Sequence, residues 1–173
     1  GQIWACGANA VNGALGVGHA NNITSFEQVM PGIFETGQVE IKEIYGNTGL
    51  IGSPSGWDYT RTSPTLFVTT DNKIYATGPN WSGACSVGTI VPQYITTPEL
   101  IWGPTADGTE IFTLEDDVPK INSSYLTANT VRGPNIQILT DSSTLYTAGW
   151  QGWGFVSTGI DAEYATVLTK ALL

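Results

Sequence analysis

Apolar positions along the chain fall in short runs broken by Gly, Asn, Asp, Ser and Pro, not in long stripes. Leu66-Phe67-Val68-Thr69-Thr70 passes through Asp71-Asn72-Lys73 into Ile74-Tyr75-Ala76-Thr77-Gly78. Ile136-Gln137-Ile138-Leu139-Thr140 passes through Asp141-Ser142-Ser143-Thr144 into Leu145-Tyr146-Thr147-Ala148-Gly149. Two β-rich runs around a short polar turn predict a β-hairpin each time. Ile3-Trp4-Ala5-Cys6-Gly7 repeats the second run without a leading one. Between these lie a strand-like alternation over 39–45 and a turn-rich loop over 46–64. Glu99-Leu100-Ile101-Trp102 and the run 109–114 flank Asp107-Gly108, a hairpin signal. No segment carries helical periodicity; Phe26-Glu27-Gln28-Val29-Met30 is expected to make at most one short turn.

The pattern is a repeat. Gly7, Gly78 and Gly149 are each 71 residues apart. Downstream, Asn80, Gly83, Cys85, Ser86 and Gly88 match Gln151, Gly154, Val156, Ser157 and Gly159 at identical offsets. Asn9, Gly13, Leu15, Gly16 and Gly18 match with one extra residue after Asn9. The unit is Gly-x-amide-x-x-Gly-x-apolar-small-x-Gly. Physically, a strand ends at a Gly where the backbone turns, and an amide side chain bonds the turn's backbone. One apolar residue, Leu15, Cys85 or Val156, plugs the turn into the core. Without a following helix signal or a Lys-Ser/Thr pair, these glycines are a structural repeat rather than a phosphate cradle. The reading is one repeat domain over 1–173, with motif cores 3–18, 66–88 and 136–159 and inserts 19–65 and 95–125.

These segments, "IWACGANAVNGALGVG", "LFVTTDNKIYATGPNWSGACSVG" and "LYTAGWQGWGFVSTG", resemble repeats of the regulator of chromosome condensation family. The resemblance implies an all-β fold of propeller-like blades, one four-stranded blade per repeat, with long inserts. The spacing of 71 exceeds the family's usual repeat, and His19 does not match the family's His. Three copies are too few for a usual ring, so the chain is expected to be a piece of a larger propeller, a subunit that completes a ring with copies of itself, or an open repeat assembly. An isolated blade cannot bury both faces. The family resemblance also brings in a regulator or inhibitor binding a GTPase or other enzyme, because some relatives exchange nucleotides on small GTPases and a secreted one inhibits a β-lactamase.

Charge and composition narrow the field. Fifteen acidic residues against 6 basic give a net charge of −9, which argues against nucleic acid. No run of 18 apolar residues suggests membrane insertion. Charged residues are only 12% of a chain with 21 Gly, a composition that points to an extracellular or virion-associated setting, phage or capsid. Cys6 and Cys85 allow one disulfide at most and are expected to be two buried free thiols.

Chemistry is sparse. His19 is the single histidine, which limits any His-based triad, and it is read as a surface or capping residue. No His/Cys cluster suits zinc, and Glu115-Asp116-Asp117 lacks the spacing of a calcium loop. Nothing couples any two of Asp58, Glu115, Asp116 and Asp161. No catalytic residue, metal or cofactor is therefore expected. Trp57, Tyr59, Trp81, Trp150 and Trp153 lie in or near turns, where aromatics can stack on sugars, anchor a protein or simply cover the core. Asn22, Asn80 and Asn122 open glycosylation sequons. The reading is a non-catalytic interaction or structural module. Its partners would be proteins, copies of itself or cell-surface glycan; a carbohydrate-binding domain is the further alternative.

Overall fold

In the computed structural model the described residues are 2–9, 13–29, 34, 39–46, 64–103, 119–120, 135–140, 143–151, 158–159 and 162–172. They are all-β: β1 (Trp4–Gly7), β2 (Ile23–Gln28), β3 (Ile41–Tyr45), β4 (Thr65–Thr69), β5 (Ile74–Pro79), β6 (Tyr94–Trp102), β7 (Pro119–Lys120), β8 (Asn135–Thr140), β9 (Leu145–Trp150) and β10 (Tyr164–Lys170). Three antiparallel sheets result, β1-β2, β3-β4-β5-β6 and β7-β8-β9-β10. They are the first, second and third blades. Among the described residues, the first blade has two strands and the others four.

The two hairpins are copies of each other at a constant offset. Thr65 pairs with Thr77 and Val68 with Ile74; Ile136 pairs with Ala148 and Leu139 with Leu145, which is the same register moved by 71. The turns agree as well. The Thr69 N–H donates to the Lys73 carbonyl and the Thr140 N–H to the Thr144 carbonyl, both at 2.9 Å. Each threonine hydroxyl also accepts the returning N–H, from Lys73 or Thr144. Asn72 and Ser143 hold matching positive φ, 62° and 66°. These short polar residues tolerate that conformation where a bulky one would not.

Several expected boundaries move. The segments read as inserts carry blade strands: β2 and β3 lie within 19–65, β7 and all of β6 but its first residue within 95–125. Phe26, Glu27 and Gln28 are extended in β2, not a short turn. Pairing to β1, with Trp4 opposite Gln28 and Ala5 opposite Glu27, holds them there; a five-residue apolar–polar run is too short to nucleate a helix. Residues 165–168 pair with β9 in the third blade.

The core lies between blades. Leu66, Val68, Ile74 and Ala76 of the second blade cluster with Ile136, Ile138, Tyr146, Ala148 and Leu168 of the third. Phe67 and Tyr75 point the opposite way and pack with Ile3, Ala5, Val17, Val29 and Phe34. The second blade is thus covered on both sides, which is why Leu66-Phe67-Val68 reads as an unbroken apolar run. Each such side chain contributes about 1.5–3 kcal/mol through burial.

Candidate functional site

The repeat turn builds the corner between the third and fourth strands of each blade. Asn80 is fully buried and supplies the brace. Its Oδ1 accepts the Cys85 N–H at 3.2 Å, while Nδ2 donates to the carbonyls of Thr89 at 2.8 Å and Pro92 at 3.2 Å. Its own N–H donates to the Gln93 carbonyl at 2.7 Å. One amide therefore fixes both the turn over 80–86 and the loop over 89–93. Asn9 does the same in the first blade, accepting from the Leu15 N–H at 3.0 Å and donating to the His19 carbonyl at 2.6 Å. In the third blade Gln151 takes the position, and the Thr158 hydroxyl donates to its Oε1.

The loop that Asn80 braces carries an apolar pair at its tip. Ile90 is 37% exposed and Val91 68%. The two carbonyls bonded by Asn80, on Thr89 and Pro92, bracket that pair. The loop is pre-organised, so a partner docking on it meets little ordering cost. In the first blade the equivalent loop presents His19, whose Nε2 lies 2.9 Å from Glu27 Oε2 and whose Nδ1 accepts the Asn21 N–H at 3.2 Å.

The sequence-derived candidates distribute unevenly. Trp81 is half-buried beside the braced turn. Trp150 is 2% exposed and offers no ring face to a ligand, because it ends β9 opposite Tyr164 inside the blade. Trp57, Tyr59, Trp153 and Gly154 lie outside the described residues, as do Asp58, Glu115, Asp116, Asp117, Asp161 and the Asn122 sequon. Asn80 has its side chain fully engaged and buried, so its sequon is closed in the folded chain. Gly7, Gly78 and Gly149 close their strands at φ 121°, 120° and 113°. Gly13, Gly18, Gly83, Gly88 and Gly159 all have positive φ, in keeping with the repeat.

The thiols split. Cys85 is buried, and desolvation pushes its pKa far up, with the Glu99 charge adding to it. Cys6, expected to be buried, is exposed, because the face of β1 that carries it has no blade against it among the described residues. Among the described residues no three His, Cys, Asp or Glu side chains group as metal ligands. No helix of the described residues is long and apolar enough to cross a membrane.

Ile90 and Val91 were not singled out by sequence reasoning. Their only signal is their place between two glycine-bearing repeat elements and β6. Isolated apolar residues in a turn region are common and carry no label.

No family model matches the chain, and no curated protein matches it in sequence. Solved structures do. A crystal structure of Kap60 bound to yeast RCC1 (Prp20) is similar with a TM-score of 0.55 and 17% identity, over 98% of this chain and 33% of that one. A crystal structure of human WBSCR16 aligns with a TM-score of 0.44 and 10% identity, over 99% of this chain and 49% of that one. The chain thus spans about a third of the first structure's length. The first likeness shows the fold: this is an all-β chain of RCC1-like propeller blades, and among the described residues the three sheets do not close a ring.

Proposed function

We propose that this chain is a non-catalytic protein-interaction module. The observation that carries the reading is the exposed Ile90–Val91 pair on a loop bracketed by two hydrogen bonds from a buried asparagine. A rigid apolar tip on a propeller corner suits a protein partner, because burying such side chains drives association. The fold neighbour supports this at one remove, since its structure is of a complex with a protein. The low-charge, glycine-rich composition supports placing the module in an extracellular or virion-surface assembly. A GTPase or other enzyme as the partner would make it a regulator or inhibitor, and the same experiment identifies that case.

The test is affinity capture from the native source with the wild-type chain and with an Ile90→Ser/Val91→Ser double variant. A partner held by the wild type and lost by the variant supports the reading. Equal recovery by wild type and variant, or a substrate turned over by the purified chain, overturns it.

A further inference from the structure

The chain has three glycosylation sequons, and the fold treats them differently. Asn22-Ile23-Thr24, Asn80-Trp81-Ser82 and Asn122-Ser123-Ser124 each place an asparagine two residues before a hydroxyl. The third lies outside the described residues. The first two occupy different places in the repeat. Asn80 braces the corner of the second blade from inside, whereas Asn22 stands where the corner loop of the first blade enters β2.

The amide nitrogen separates them. At Asn80, Nδ2 donates to two carbonyls, on Thr89 and Pro92, and the side chain is fully buried. A sugar on that nitrogen would displace one of the two bonds and would need room inside the blade. Ser82, the hydroxyl of that sequon, is buried as well. Asn22 is exposed, and its Oδ1 accepts the Asn9 N–H at 2.9 Å. That bond uses the amide oxygen. An N-linked sugar leaves Oδ1 an acceptor, so the bond to Asn9 survives modification. With it survives the corner that Asn9 braces through the Leu15 N–H and the His19 carbonyl. Thr24 is exposed too, while Ile23 between them is buried. The sequon thus turns its asparagine and its hydroxyl outward and its middle side chain into the blade, as strand alternation dictates.

The position keeps its access where another blade precedes it. Ile23, Ile95 and Ala165 stand opposite Gly7, Gly78 and Gly149, so Asn22 corresponds to Tyr94 and Tyr164. Both tyrosines follow an earlier blade, and both remain half-buried rather than enclosed. Gln93 and Glu163, just before them, are exposed, as Asn21 is. The reason is geometric: the turn of the preceding blade docks two residues further on, at the carbonyls of Thr96 and Thr166.

We propose that Asn22 is an N-glycosylation site of this chain, carrying its glycan at the corner of the first blade. In the transfer, Asn22 Nδ2 forms a C–N bond to C1 of the first sugar of a polyprenyl-diphosphate oligosaccharide. The C1–O bond to the diphosphate breaks, the diphosphate leaves with the electron pair, and Nδ2 loses one proton. Thr24 supplies the hydroxyl that the sequon requires. The proposal rests on the extracellular placement in the reading above, since that donor serves secreted chains.

Peptide mass spectrometry tests this, because trypsin separates the three sequons. Cleavage after Lys42, Lys73, Lys120 and Arg132 leaves Asn22 in 1–42, Asn80 in 74–120 and Asn122 in 121–132. The full chain, sent through the secretory pathway of a eukaryotic cell by an added leader, is collected from the medium. A peptide N-glycosidase in heavy-oxygen water then converts each glycosylated asparagine to a labelled aspartate. Label is expected in 1–42 and not in 74–120. Asn22→Gln and Thr24→Ala each abolish it, and Thr24→Ser keeps it. Thr24→Ala retains Asn22 and its bond to Asn9, so its loss of label is not a loss of the corner. An unlabelled 1–42 peptide from the secreted wild type overturns the proposal, as does label that persists in Thr24→Ala. Label in 74–120 overturns the contrast between the two asparagines on which it stands. The same digest of the chain from its native source tests the placement separately. Label there supports both site and placement; an unlabelled native peptide beside a labelled secreted one counts against the extracellular placement and not against Asn22.

Discussion

Where the first blade meets the second, Gly16 of the turn lies against the ring of Pro98. Where the second meets the third, Ser86 holds the same turn position, and its hydroxyl accepts the Leu168 N–H. The partners match at both places. Proline has no N–H to donate, and the glycine opposite it has no hydroxyl to leave unsatisfied; leucine has the N–H, and serine receives it. One backbone geometry is thus held by ring packing at one junction and by a buried hydrogen bond at the other. Glycine suits φ 70° at residue 16, whereas Ser86 adopts φ 57° at some strain in order to place its hydroxyl.

The largest expected effect probes how closely the turns approach. A Cβ at Gly83 would lie 2.9 Å from Thr166 Cα and 3.0 Å from the Ala165 carbonyl oxygen, so Gly83→Ala must move backbone. At the equivalent Gly13 the nearest atom is the Thr96 Cγ2 methyl at 2.8 Å, with Thr96 Cα at 3.2 Å. Gly83→Ala is expected to lose about 3 kcal/mol or more, and Gly13→Ala about 2 kcal/mol. Denaturant midpoints compare them; an equal or larger loss at Gly13 breaks the distinction.

Next comes the brace. Asn80→Ala strands the Cys85 N–H and two loop carbonyls and is expected to lose about 2–3 kcal/mol. Asn80→Gln, which imports the third blade's residue, does not restore it. Gln151 Oε1 accepts the Thr158 hydroxyl while its buried Nε2 has no partner, and the second blade has Val87 where that threonine stands. Thermal unfolding of the two variants should show both below wild type; full stability of Asn80→Gln would break the account of the amide.

Ser86 sharpens the comparison most directly. Ser86→Ala removes the Leu168 acceptor and keeps the strained φ, for a loss of about 1–2 kcal/mol. Ser86→Gly removes the same bond but relieves φ, so its loss is smaller, under about 1 kcal/mol. Equilibrium unfolding should rank wild type, Ser86→Gly, Ser86→Ala from most to least stable. The reverse order of the two variants would show that φ strain plays no part.

The smallest effect concerns the thiols. Cys85 is held protonated by burial, so its folded pKa stands above the unfolded one. Such a group favours the native state below the unfolded pKa, and stability falls as pH rises beyond about 8.5, where the unfolded thiol ionises. Wild type should therefore lose stability faster than Cys85→Ala above that pH; parallel curves would contradict it. In the folded chain, a thiol reagent should label Cys6 at once and Cys85 only on unfolding.

The hairpins were legible in sequence because turn chemistry and strand alternation are local. Aligning Leu66 with Ile136 by their apolar character misplaces the leading strand by one residue, whereas the constant offset pairs Thr69 with Thr140 through identical turn bonds. The fourth strands were hidden, because β2 and β6 lack internal alternation and are held by pairing to β1 and β5. Trp150 follows Gly149 in the sequence, where the repeat predicts a turn; in the blade it is the buried last residue of β9 and has no ring face for a ligand.

The period of 71, the two hairpins and the role of the turn amide follow from the sequence, since each depends on residues near one another in the chain. Which faces of those strands are covered depends on the packing of one blade against another. Val68 and Leu139, or Tyr75 and Trp4, occupy the same repeat positions with similar chemistry, yet one of each pair is packed against a neighbouring blade and the other meets water. Burial is a property of what lies across the interface, and a residue's own chain neighbours do not specify that.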